Sequence, residues 1–143
     1  MMRITVGNAH PSHRRRSGDV RRLVHSVLRG EHCRAADVGV IFINDRRMRT
    51  LNRQYLHHTY TTDVLSFPLS DRTADCLEGE VYVNLDQARR QAAEYHVSFR
   101  QEIARLMIHG TLHLLGYDDS TLRLRERMTR RENRYLQRNG YDD

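Results

Sequence analysis

Apolar positions fall into two rhythms along this chain, and the alternation between them lays out the elements. Val20, Leu23, Val24, Val27 and Leu28 recur at i, i+3, i+4, i+7 and i+8. That is the buried stripe of an amphipathic helix, with Ser17 expected as its N-cap. Before it, Arg3 to Val6 reads as a short strand and His10 to Arg16 as a polar loop. Val38 to Ile43 is almost continuously β-branched, which predicts a strand covered on both faces. Asn44 or Asp45 can cap a second helix whose apolar face is Met48, Leu51 and Tyr55.

Asp63 to Phe67 reads as a strand closed by Pro68, and Leu69 to Leu77 as a loop. From Gly79 to Leu85 the period drops to two. Val81, Val83 and Leu85 fall on one side and Glu80, Tyr82 and Asn84 on the other. Asp86 is the expected cap of a helix reaching about His96. Ser98, with Gln101 three residues on, forms a capping box for a helix running through Phe99, Ile103, Leu106, Met107 and Leu112 towards Gly116. A last helix starts near Ser120 and stops before Gly140. Four mixed strands and about five helices predict one α/β (α+β) domain over residues 1–143.

Composition narrows the chemistry. All 24 basic residues are arginine, and the formal charge is +6. Without lysine there is no Schiff base and no phosphate-loop amine. The charge favours anionic partners, nucleic acid first. Cys33 and Cys76 are too few for a disulfide scaffold or a four-sulfur metal site. No apolar run approaches the roughly 20 residues that cross a bilayer. The opening MMRITVGNAH reads as a strand rather than a secretory leader, so the cytoplasm is the expected location.

The densest chemistry lies in HGTLHLLGYDD, residues 109–119. His109 and His113 are four apart on a predicted helix, so their rings leave the same face and can grip one ion. A catalytic tetrahedral site needs a third protein ligand and an open position. Asp119 could not reach the ion along a continuous helix, but Gly116 can end the helix and reverse the chain. His-x3-His-x2-Gly-x2-Asp is therefore a candidate three-ligand frame, shared with metzincin proteases, whose last residue is His. Asp118 is an alternative ligand, a partner to an imidazole, or a turn residue. Gly110 stands where an H-E-x-x-H protease carries its general base, which argues against peptide hydrolysis.

This segment resembles the hallmark H-G-x-L-H-L-x-G-Y-D-H of the bacterial YbeY family, metal-dependent endoribonucleases that mature ribosomal RNA. Two more motifs stand in register: LNRQY at 51–55 followed by TDVLSFP at 62–68, and GEVYVNLD at 79–86. The resemblance implies a four-stranded α/β domain, one zinc ion, and cleavage of single-stranded RNA. It further implies a role in maturation of the small ribosomal subunit's RNA and in ribosome quality control. Carried over by position, the ligands are His109, His113 and Asp119, with Asp63 and Ser66 lining the cleft.

Two departures stand out. Asp119 replaces the family's third histidine, which lowers the site's charge by one and can shift preference towards iron, manganese or nickel. Leu56 replaces an arginine thought to meet phosphate charge, leaving His57 or His58 as candidate substitutes. Arg123, Arg127, Arg130, Arg131, Arg134 and Arg138 form one helical stripe, a candidate RNA track. Arg14 to Arg16, with Arg21 and Arg22, form a second cluster. The rival classes are a metalloprotease-like hydrolase and a ribosome- or RNA-binding factor with a structural metal.

Overall fold

The computed structural model describes residues 1–56, 62–71 and 75–142. In chain order these form β1 (Met2–Asn8), α1 (Ser17–Gly30), β2 (Ala36–Ile43), α2 (Asp45–Leu51), a π-type turn (Asn52–Leu56), β3 (Val64–Pro68), β4 (Leu77–Asn84), α3 (Leu85–Tyr95), α4 (Phe99–Leu114) and α5 (Leu122–Arg138). The α/β architecture expected from the sequence is the one observed.

The sheet order is β1-β2-β4-β3. β1, β2 and β4 run parallel, and β3 pairs antiparallel to β4 at one edge. Pairing of Val64 with Val83, Ser66 with Val81 and Pro68 with Gly79 fixes which β3 side chains share a face with the β4 valines. α4 is the central helix, touching α1, α3, α5, β3 and β4. Val38, Val40, Phe42, Val81 and Val83 are buried in one cluster with Leu23, Val27, Ile108 and Leu112 from the helices. Burying each such side chain contributes about 1.5–3 kcal/mol.

The opposite face departs from expectation. β2 is not covered equally on both sides: Val38, Val40 and Phe42 are buried, whereas Gly39 and Ile41 are half-exposed. Among the described residues, a small cluster packs on that side: Ile43, Met48 and Leu51 with Ile41, Leu65 and Tyr82. Tyr55 does not continue the buried face of α2. The π-type turn carries it off the stripe, and it is 61 % exposed.

Several helix ends also differ. Arg16, not Ser17, occupies the N-cap of α1 and makes no side-chain cap. Asn44 is the acceptor that caps α2. Asn84, not Asp86, caps α3, so Leu85 is the first helical residue rather than the last of a strand. Its amide is fully used: Oδ1 accepts from the backbone of Asp86 and Gln87, and Nδ2 donates to Asp45 Oδ1 at 2.8 Å and the Thr62 carbonyl at 3.1 Å. Asp86 is thereby released to accept from the Asp45 backbone and to meet His10 Nε2 at 2.7 Å. Ser98 caps α4 by accepting from the Gln101 backbone, and the Gln101 side-chain amide donates to the Tyr141 carbonyl.

Candidate metal centre

α4 ends where the glycine argument places its end. Gly116 has φ 102°, the left-handed region that favours glycine. Its N–H bonds to the His113 carbonyl, and the Tyr117 N–H reaches back to Leu112, a Schellman turn. The chain reverses and brings Asp119 back over the helix face that carries both histidines.

Three donor atoms then converge. His109 Nε2 and His113 Nε2 are 3.0 Å apart, and Asp119 Oδ2 lies 3.4 Å from the first and 3.5 Å from the second. A tetrahedral ion with bonds of 2.0–2.2 Å has ligand atoms spaced by roughly 3.3–3.6 Å. The triangle is close to one face of that tetrahedron, so the residues present fit a metal ion. They also form the group of potential ligands found among the described residues. Asp118 takes the turn role instead: it is exposed, and its carboxylate accepts from the Ser120 backbone and hydroxyl.

Glu132 of α5 completes the centre from behind. Its side chain is only 6 % exposed, and Oε2 lies 2.6 Å from His109 Nδ1, while Oε1 accepts from Arg105 at 2.9 Å. A proton held on Nδ1 by that carboxylate leaves Nε2 as the lone-pair donor facing the triangle. Burial disfavours charge on His109. The Glu132 hydrogen bond and charge, with Asp119 and Asp63 adding, outweigh it and raise the ring's proton affinity. Glu102, also buried, has its carboxyl pushed up by desolvation despite the amide of Gln91.

A third buried acid anchors the returning loop. Glu31, just past α1, accepts from the hydroxyls of Tyr117 and Tyr135 and from Arg131 at 3.0 Å. Burial alone would raise its carboxyl. The two tyrosines and Arg131 reverse that and hold it below its ordinary value.

The cleft over the triangle, about 420 Å³, is walled by Thr62, Asp63, Val64, Leu65, Ser66 and Pro68. Asp63 and Ser66 thus border it, and Ser66 Oγ donates to the Gly110 carbonyl at 2.8 Å. Gly110 has no room for a side chain: an added Cβ would sit 2.4 Å from Val81 Cγ1 and 3.1 Å from Val64 Cγ2. The general-base position of an H-E-x-x-H site is therefore closed by packing.

The arginine stripe of α5 divides. Arg123, Arg127, Arg130, Arg134 and Arg138 are exposed, and Arg131 is half-buried. Arg127 and Arg131 lie over the Tyr117 ring at 5.0 and 4.9 Å, and Arg138 over Tyr135 at 5.3 Å. None of the six borders the cleft. In the second cluster Arg21 donates to the Ile4 carbonyl and Arg22 pairs with Asp19. Leu56 is 41 % exposed, and His57 and His58 lie outside the described residues.

Sequence reasoning missed Glu132 and Glu31. Glu132 had one readable signal. It lies four residues from both Met128 and Leu136, in the middle of the apolar face of α5, where an unpartnered acid does not belong.

Fold and site together define an α/β protein with a candidate His/His/Asp metal centre beside the edge of its sheet. The chain matches the model of the Endoribonuclease YbeY family over residues 7–140. It is 41 % identical over 117 residues to the Endoribonuclease YbeY of Chloroherpeton thalassium, covering 82 % of each chain. It is 35 % identical over 140 residues to that of Salinibacter ruber, covering 93 % of this chain and 89 % of the other. The solution structure of TM1509 from Thermotoga maritima superposes with a TM-score of 0.63 at 25 % identity, covering all of this chain and 96 % of that one. The chain belongs to the YbeY family of endoribonucleases.

Proposed function

We propose that this endoribonuclease is metal-dependent, holds zinc through His109, His113 and Asp119, and cuts single-stranded ribosomal RNA in the cytoplasm. Maturation and quality control of the small ribosomal subunit are the setting this reading assigns to it. The observation that carries it is the triangle of Nε2, Nε2 and Oδ2 atoms at 3.0, 3.4 and 3.5 Å. Its edges suit one tetrahedral ion with a fourth position open to the cleft.

When bound, the ion would offset charge developing on a phosphodiester and make a water molecule more acidic. Asp119 in place of an imidazole lowers the net charge there by one, which makes that water a weaker acid. The same change suits iron, manganese or nickel as alternatives. Glu132 holds His109 in the tautomer that presents Nε2, and the Glu31–Tyr117 contact holds the turn that delivers Asp119. A peptide-hydrolysing reading is disfavoured by the closed space at Gly110. A second reading, an RNA-binding factor with a structural metal, draws support from Leu56 and from the lack of any arginine among the described residues bordering the cleft.

Metal analysis beside cleavage assays tests the proposal. Wild type and Asp119→His should carry about one ion per chain and cut single-stranded RNA but not casein. Asp119→Ala and His113→Ala should lose both ion and cleavage. Equal metal in Asp119→Ala and wild type overturns the ligand assignment. Metal with RNA binding and no cleavage in the wild type favours the second reading.

A further inference from the structure

The face of the sheet turned away from α4 carries an unusual surface. Tyr55, on the π-type turn, leaves 61 % of its area open. Its ring meets Phe67 edge-on at 5.2 Å and 61°, and Phe67 meets Tyr82 at 5.7 Å and 81°. The Tyr82 hydroxyl donates to Glu80 at 3.3 Å. The three rings form a braced ladder that fixes Tyr55 while leaving it to solvent. π-Type turns recur at functional sites.

Charge surrounds the ladder. Arg46, Arg47, Arg49 and Arg53 are all exposed on α2 and the turn. None of them forms an ion pair among the described residues. Asp45, the acid nearest to them in sequence, is already held by Arg90 at 2.7 Å. Arg47 is close enough for its charge to act on the Tyr82 hydroxyl.

Position joins this surface to the metal cleft. β3 is an edge strand whose side chains alternate between the two faces. Val64, Leu65, Ser66 and Pro68 border the cleft, while Phe67 does not and supports Tyr55. A polynucleotide leaving the cleft across β3, the outer strand of the sheet, meets the tyrosine after crossing one strand.

We propose that Tyr55 is a stacking platform for an unpaired base of the RNA, with Arg47, Arg49 and Arg53 holding the flanking phosphates. This rests on the ribonuclease reading and adds a cause for strand preference. An aromatic face accepts any base, but only one whose own face is free. Base-paired RNA keeps its bases stacked inside the duplex, so the platform selects single strands. Arginine suits the phosphates because its fork matches their oxygens in pairs.

The test uses the full chain and an oligoribonucleotide of about eight residues containing one 2-aminopurine, whose fluorescence falls on stacking. Binding is read by anisotropy in chelator, so that the strand stays intact. Wild type and Tyr55→Phe should quench the probe and bind equally. Tyr55→Ala should lose the quench and bind about 5- to 100-fold more weakly. The same strand made abasic should bind wild type no better than it binds Tyr55→Ala. Thermal melting of Tyr55→Ala checks that the chain is folded.

Unchanged binding and quenching in Tyr55→Ala overturns the platform, as does equal weakening on the abasic strand. A change in oligomeric state on light scattering, with RNA binding intact, assigns the ring to a second copy and overturns it too. Cleavage by metal-loaded wild type is scored separately. If it persists while the platform fails, the ribonuclease reading stands; if it is absent, that reading fails by itself.

Discussion

The two faces of the sheet handle polar groups in opposite ways. Under α4, polar side chains are drawn out of solvent and matched. Glu132 has His109 and Arg105, Glu31 has two tyrosines and Arg131, and Ser66 has the Gly110 carbonyl. On the far face, four arginines and an aromatic ring stand in solvent. Burial with a full set of partners makes a rigid frame, because any unmatched group there costs stability. Exposure without partners leaves capacity for something external. The contrast separates residues that build the site from residues available to a strand of RNA.

Breaking the matched face should give the largest effects. Loss of His113 or Asp119 should remove bound metal and with it RNA cleavage, read by metal analysis and a gel assay. Glu132→Ala should come next, weakening metal affinity about 10- to 100-fold by freeing the His109 ring, measured by competition with a chromogenic chelator. Gly110→Ala should force α4 away from Val81 and cost about 1–3 kcal/mol. Its melting temperature should fall by about 3–10 °C.

Glu31→Gln should cost a similar or smaller amount, about 1–3 kcal/mol at neutral pH. Its sign with pH is fixed by the depressed carboxyl. The stabilisation is present above the ordinary carboxylate value and is lost as pH falls through the lower folded value. Acid should therefore lower the melting temperature of wild type more than that of Glu31→Gln, shrinking the gap between them. The smallest effect sharpens the contrast from the other side. Tyr55→Ala should shift stability by no more than about 0.5 kcal/mol, because the ring is mostly in solvent.

Much of this was legible in the sequence because it depended on spacing. The stripe from Val20 to Leu28 is the buried face of α1, and the histidine pair with Gly116 places Asp119 where three ligands can meet. What escaped depended on contacts between distant segments. Alternation through Val81 and Val83 carried Leu85 into a strand, because nothing local shows that the Asn84 amide also binds Asp45 and Thr62. Tyr55 fitted a helical period that the π-type turn breaks. Glu132 was hidden among arginines, since a stripe reading weighs the exposed face and ignores an acid on the other. Glu31 stood alone at a helix end, and its partners lie 86 or more positions later.

The missing side chain at position 110 also bears on protease chemistry. Exchanging the residue after the first histidine for a glutamate strains the seat of the central helix on the sheet before it can supply a base. The neighbouring protease solution is one residue away on paper, yet here that residue would collide with Val81 and Val64 where the central helix meets the sheet.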